Sequence, residues 1–460
     1  MSERSAVGLE GLLQVHLVGV GGAGMSALAV LLQQMGKLVS GSDVADSPIL
    51  ERLRAEGIEV FVGHDSAHVA AVDLVARSTA VSKENPEVRA ARDGGTPVWC
   101  RAELLAAIGA FRSMVAIAGT HGKTTTTAML AHILAATGVD LSYLVGAALA
   151  DGSIGARWGG GEWFVVEADE SDGTFWQIGA KRALVTSVEA DHLSTDRSSE
   201  MLQAEFKQFC SQATEALVVC ADDPGALAAS QGCKRVLYGT APAADYRWLP
   251  LGTQGLTTVG LVQHPCGETV EMVVPMAGHH NALNAVGALA MACTLGAEPT
   301  SVAAAMETFA GVARRFEKRG VAARVEFIDD YAHLPTEVSC ALSTAHRGNW
   351  QRVVCVFQPH RYTRTAHLWQ DFASCFNLAD VVILTDIYAA FEAEIAGVSG
   401  ELIWQAVTDH NPAGDITYLA SLSDVVERLV EVLRPGDLCL TLGAGDITEV
   451  PDQVMSLLES

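Results

Sequence analysis

Residues Ala116 to Leu130 read AIAGTHGKTTTTAML, an apolar strand, a glycine turn and the first turns of a helix. Backbone amides at such a helix start point outward with the positive end of the macrodipole behind them, so the turn is an anion site. Lys123 adds a mobile positive charge, and the Thr124 hydroxyl is placed to ligate the Mg²⁺ that accompanies a nucleotide polyphosphate. The usual GxxxxGK[ST] spacing would require glycine at position 117, where this chain has Ile117; its glycines are Gly119 and Gly122. The strand–turn–helix context therefore carries the reading. Thr120 could merely cap a solvated turn, but four consecutive threonines, β-branched and poor in helix propensity, argue for use over decoration.

Outward from that stretch, 460 residues are too many for one core, and about three domains are expected. The 30 Lys and Arg stand against 54 Asp and Glu, a net charge of −24 that disfavours nucleic acid or an anionic membrane as partner. The densest basic run, Arg314-Arg315-Phe316-Glu317-Lys318-Arg319, is short and interrupted by an acid. Ten cysteines lie between Cys100 and Cys439 without a CxxC pair, as expected of reduced thiols in a cytoplasm. No signal peptide opens the chain, and no apolar run approaches the about 20 residues a membrane span needs.

Toward the amino terminus, QVHLVGVGGAG from Gln14 to Gly24 is a strand running into Gly19-x-Gly21-x-x-Gly24, and a second strand ends at Ser42-Asp43. Dinucleotide folds place a ribose-binding acid at about that distance, yet the glycines suit any nucleotide diphosphate, UDP included. Ser78-Thr79 ends a further strand and makes a plausible ligand turn, whereas His64 and His68 read as surface residues.

After the turn, the strand from Trp163 ends in VVEADESD, which gathers Glu167, Asp169, Glu170 and Asp172 where parallel sheets collect ligands. One of these acids can face Thr124 across a Mg²⁺. The next strand ends in SVEADHLSTD and brings Glu189, Asp191 and His192 to the same edge; Mg²⁺ prefers oxygen, so His192 is chemically an unusual ligand. Asp245 to Pro275 reads as a small antiparallel insert. Asn281 stands at a helix start, where it could cap the helix or read adenine. From Val325 onward, strands alternate with polar turns and helices. Those turns hold Asp330, Tyr331 and His333, then Arg361 and Arg364 beside His360, an arginine fork suited to a carboxylate or phosphate.

A nucleotide-diphosphate domain, a triphosphate domain and a third sheet with a carboxylate fork together suit activation of a carboxylic acid by phosphate transfer, followed by attack of an amine. GVGGAGMSALA, GTHGKTTTTAML, EADESDGTF, VEADHL, HHNALNA, RRFEKRG, DDYAHLPTE, FQPHRYTRT and LGAGDI, in this order, resemble the Mur ligases of peptidoglycan synthesis from about residue 14 to 448. The resemblance implies a three-domain α/β enzyme. Residues 1–108 would form a Rossmann-like UDP-sugar domain, 109–313 a central P-loop ATPase with a mostly parallel sheet, and 314–460 a Rossmann-like domain that closes over ATP and brings the amino acid.

It also implies ATP with Mg²⁺, or Mn²⁺ in its place, and UDP-N-acetylmuramate and L-alanine as small-molecule substrates in a bacterial cytoplasm; monomer and homodimer stay open. By matching motifs, Gly119, Thr120, His121, Gly122, Lys123, Thr124, Thr125, Asn281, Arg314 and Asp330 would bind ATP. Thr124, Glu167 and His192 would hold metal, and Gly19, Gly21, Gly22, Ala23, Gly24, Asp43, Ser78 and Thr79 the UDP-sugar. Tyr331, Arg361 and Arg364 would bind the amino acid, and Lys123, His192, His333 and Arg361 would act in catalysis. The chain departs from the family pattern at Ser187, Ser194, Leu334 and Phe391, beside the second metal and the amino-acid pocket. Three other readings compete. A recycling ligase would take a preformed tripeptide, a nicotinamide oxidoreductase would rest on GVGGAG, and a paralogue would have lost turnover.

Overall fold

The computed structural model describes residues 8–150, 152–170, 175–189, 198–390 and 392–459. Its strands form three α/β sheets. The first has five parallel strands in the order Glu59–Val62, Leu38–Asp43, Gln14–Val18, Leu74–Arg77, Val98–Cys100. Sequential strands run outward from Gln14–Val18 in both directions, and the change of direction opens a crevice at their carboxyl ends, where ligands collect. The Gly19-x-Gly21-x-x-Gly24 turn sits there and leads into the helix Ala23–Gln34.

The second sheet has ten strands, and its centre pairs Ser113–Ala118 with Arg182–Val185 on one side and Trp163–Glu167 on the other, all parallel. These three strands are almost wholly apolar and buried, as a sheet covered by helices on both faces requires. All three end at one edge, which is why Glu170 and Glu189 both meet the glycine turn. The stretch read as an antiparallel insert forms strands Tyr246–Gln254, Thr257–Gln263 and Thr269–Val274 at the sheet's far side. The first two are neighbours joined by two residues, a link that only an antiparallel pair permits.

The third sheet orders Glu317–Ala322, Val325–Asp330, Asp437–Leu442, Arg352–Phe357, Val381–Leu384 and Asp415–Tyr418; its first pair is antiparallel and the rest parallel. The chain divides into two compact units. One holds residues 1–252, 259–275 and 281–310, with the first two sheets; the other holds 253–258, 276–280 and 311–460, with the third. Among the described residues, no helix is long and apolar enough to cross a membrane.

One expectation fails in the first sheet. His64 and His68 are not free surface residues: both bond Glu87, which is fully buried, at 3.0 and 2.6 Å. His16 and Ser42 complete the shell, with the Ser42 hydroxyl donating at 2.6 Å. The surrounding hydrogen bonds outweigh burial and hold the Glu87 carboxyl down at about 2. Sequence spacing cannot show that a helix starting at Pro86 delivers an acid beneath His64 and His68.

Candidate active site

The strand Ser113–Ala118 passes into the helix Lys123–Ala136 through Gly122, the helix N-cap, whose φ of 78° lies in the left-handed region. A side chain there would also come 2.5 Å from the Asn284 amide oxygen, so the turn requires glycine twice over. Thr120 does not cap the helix. Its hydroxyl takes the Glu189 amide at 2.9 Å, and its own amide donates to the Ser187 carbonyl at 3.0 Å. The His121 amide donates to Ser187 Oγ at 3.0 Å, and the His121 ring faces Glu189 at 3.2 Å. The serine at this departure from the family pattern thus still fastens the turn.

Lys123 is folded back into the turn. Its ammonium donates to the Gly119 carbonyl at 2.6 Å, the Thr120 carbonyl at 3.2 Å and Glu170 Oε1 at 2.8 Å. Burial would discharge the lysine, but the carboxylates of Glu170, Asp169 and Glu167 outweigh it and raise its pKa. Glu170 is 1% exposed, and burial, with the charge of Asp169, pushes its carboxyl up to about 7 despite Lys123. Its Oε2 is buried and has no hydrogen-bond partner among the described residues. Such an orphan is costly unless a ligand, cation or proton satisfies it.

Glu167, at the end of its strand, takes the Gly146 amide on Oε2 at 2.9 Å. Thr124 and Thr125 are each 5% exposed in the first helical turn. Among the described residues, no three His, Cys, Asp or Glu side chains converge enough to hold a metal alone. His192, Asp191, Asp172, Ser194 and Phe391 lie outside the described residues. Asn281 is 4% exposed inside the first turn of the helix His279–Thr294, so it is not that helix's cap.

At the first sheet, Gly19 has a φ of 81° and packs on Ser78, while Thr79 is exposed. Asp43, expected at the ribose, accepts the Gly21 amide at 2.8 Å and the Val44 amide at 2.7 Å, so it shapes the glycine turn. Gly22 and Ala23 form the start of the helix over that turn.

In the second unit, Asp330 accepts the amides of Phe316 at 2.7 Å and Ala332 at 2.8 Å; burial raises its carboxyl to about 6, although Arg315 opposes this. Arg314, expected to bind ATP, directs its guanidinium to the carbonyls of Gly443 at 2.6 Å and Gly445 at 3.0 Å, and to Asp329 at 3.3 Å. It is therefore a strut for the Gly443–Gly445 turn. Arg315, inconspicuous in a basic run, lies over the Tyr331 ring with its guanidinium carbon 5.0 Å from the centroid.

Tyr331, His333, His360 and Tyr388 form a chain of rings with successive centroids 5.4, 5.6 and 5.8 Å apart. His333 Nδ1 lies 3.0 Å from the Tyr331 carbonyl, which can only accept, so that nitrogen carries a proton, and it also faces Glu337 at 3.5 Å. Arg364 donates to His360 Nδ1 at 3.0 Å. Arg361 begins the next helix with a strained φ of 73°; it is exposed and makes no ion pair among the described residues. Among the described residues Arg361 is therefore not consumed by the chain's excess acids. Burial, then the charges of His333, Arg364, Arg361 and Arg314, press the His360 pKa down to about 2.

A depressed histidine contributes stability above its unfolded pKa of about 6.5 and loses it as pH falls, because only the unfolded state takes up the proton. His360→Gln is expected to flatten the acid side of the stability profile between about pH 6.5 and 5 by up to about 1.4 kcal/mol per pH unit. Denaturant unfolding across that range checks it; an unchanged slope would contradict the neutral ring.

Family models cover most of the chain: the Mur ligase family catalytic domain matches residues 14–112, the Mur ligase middle domain 117–292, and the Mur ligase glutamate ligase domain 314–445. Together with relatives of at least 40% identity along nearly the whole length, these place the chain in the Mur ligase family. Among those relatives, the UDP-N-acetylmuramate–L-alanine ligase of Kineococcus radiotolerans is 43% identical over 98% of this chain and 97% of its own. That of Thermobifida fusca is 40% identical over 97% and 96%. The crystal structure of UDP-N-acetylmuramate–alanine ligase from Thermotoga maritima superposes with a TM-score of 0.84 at 27% identity, covering 97% of this chain and 99% of that one.

Proposed function

We propose that this chain joins L-alanine to the lactyl carboxylate of UDP-N-acetylmuramate at the expense of ATP, in peptidoglycan precursor synthesis. The observation that carries the reading is the Lys123 ammonium, held by the turn's own carbonyls and by a buried carboxylate whose second oxygen has no hydrogen-bond partner among the described residues. Lys123 and the amides of the turn balance the charge of the transferring phosphoryl group, while the glycine turn of the first sheet holds the sugar nucleotide's diphosphate.

Thr124, Glu167 and the open oxygen of Glu170 are the groups that would hold Mg²⁺, which when bound neutralises phosphate charge. The lactyl carboxylate oxygen attacks the γ-phosphorus and ADP leaves, giving an acyl phosphate. Arg361 and Arg364 take the carboxylate of alanine, and His333 Nε2 accepts a proton from its ammonium. The amine then attacks the acyl carbon, and phosphate departs with the oxygen that the carboxylate supplied. Positioning and charge carry the reaction without a covalent enzyme intermediate.

Purified protein incubated with UDP-N-acetylmuramate, ATP and Mg²⁺ is expected to release phosphate with L-alanine and to yield the alanyl product by mass. Release with the preformed tripeptide alone would transfer the assignment to the recycling reaction, and NAD(P)H binding without UDP competition would overturn both.

A further inference from the structure

One side chain of the first unit, Arg101, lies between the glycine turn of the first sheet and Asp169 of the second. Arg101 follows the strand Val98–Cys100 and opens the helix Arg101–Gly109, which the Glu103 side chain caps by accepting the Cys100 amide at 2.8 Å. The strand's parallel pairing with Leu74–Arg77 sets Arg101 at the same carboxyl edge as Ser78 and the glycine turn. Its guanidinium lies directly on Gly24: a Cβ there would come 2.6 Å from Nη1 and 3.5 Å from Cδ. In dinucleotide folds, the third glycine of this motif serves close packing of helix on strand. Here it makes room for a cation beside the amino end of the helix Ala23–Gln34, where a diphosphate is best held.

The other nitrogen, Nη2, reaches Asp169 Oδ2 at 2.9 Å. Asp169 directly precedes Glu170, the partner of Lys123, and its charge acts on both. Arg101 thus lies against the glycine turn and is ion-paired to Asp169, whose chain neighbour Glu170 bonds Lys123, itself held by the carbonyls of Gly119 and Thr120. The fork has donors to spare for an oxyanion while it keeps Asp169.

We propose that Arg101 is the positioning residue through which an occupied sugar-nucleotide turn organises the acidic loop of the ATP site, so that the two nucleotides bind cooperatively. The inference rests on the proposed substrates. Once a diphosphate takes the spare donors, the guanidinium fixes Asp169, and with it the adjoining Glu170 that partners Lys123, for the second ligand. The coupling is reciprocal by linkage.

The test is calorimetric titration of a non-hydrolysable ATP analogue, with Mg²⁺, into the full chain with and without saturating UDP-N-acetylmuramate. Wild-type protein is expected to bind the analogue at least about fivefold tighter when the sugar nucleotide is present, the lower end of ordinary allosteric coupling. Arg101→Met and Asp169→Asn should each bring that ratio toward one, and the double variant should do no more than either alone. Arg101→Lys, which keeps the charge but not the fork, should restore part of it. Thermal melting of each variant with and without UDP-N-acetylmuramate identifies any that fails to fold. A ratio unchanged in folded Arg101→Met, or additive losses in the double variant, would overturn the inference and leave the ligase reading standing. Absence of UDP-N-acetylmuramate binding by the wild type would overturn both.

Discussion

Lys123→Ala is expected to lower turnover by about 10³-fold or more, equivalent to about 4 kcal/mol of transition-state stabilisation. Its ammonium is the cation the turn encloses, bonded to two of the turn's own carbonyls and to Glu170. In the proposed reaction a phosphoryl group moves from ATP to a carboxylate with ADP leaving, and negative charge builds on the oxygens facing that turn. A fixed cation in a site shielded from water stabilises it far more than one in solution could. Breaking a buried pair leaves a charge uncompensated, a strain of about 3 to 5 kcal/mol if the charge persists. Glu170 avoids much of it, because its carboxyl already stands near 7 and takes up a proton when the lysine is gone. The variant should therefore fold and still bind UDP-N-acetylmuramate. Steady-state rates with calorimetry separate the two effects, and near-normal turnover would remove Lys123 from the reaction.

Glu167→Gln should act on the metal and spare the sugar nucleotide. The amide is isosteric and can still accept the Gly146 N–H, so the turn keeps its shape while one negative charge disappears. The Mg²⁺ concentration for half-maximal rate is expected to rise at least about tenfold, the loss common even for groups one step removed from a metal. Binding of UDP-N-acetylmuramate should change little, since Glu167 stands on the second sheet and the glycine turn on the first. A rate that titrates with Mg²⁺ as in the wild type would exclude Glu167 as a ligand.

The sheets were legible because apolar runs between Gly-rich and polar turns recur at the spacing of parallel strands, and such runs fix which turns share an edge. AIAGTHGKTTTT and VVEADESD could be set side by side on that argument alone. Partners were harder. Arg101 and Asp169 are 68 positions apart, and nothing local marks an arginine at a helix start as the reason Gly24 lacks a side chain.

Charge alone does not say which acid serves which cation: of the acids in EADESD, Glu170 takes Lys123, Glu167 an amide and Asp169 an arginine. Arg314 and Arg315 are neighbours in one basic run and both lie over the Tyr331 ring, yet only the first also binds the carbonyls of Gly443 and Gly445. Asn284 was hidden for a similar reason, since its contact with Gly122 depends on how a distant helix seats against the turn.

The central claim is that the turn after Ala118 delivers a phosphoryl group to the sugar nucleotide's free acid. It is tested most directly with UDP-N-acetylmuramate carrying ¹⁸O in both oxygens of its lactyl carboxylate. During synthesis of the alanyl product, phosphate released from ATP is expected to carry one ¹⁸O, because the carboxylate oxygen that attacked phosphorus leaves with it. Phosphate free of ¹⁸O, formed alongside the same amide, would contradict the acyl-phosphate account.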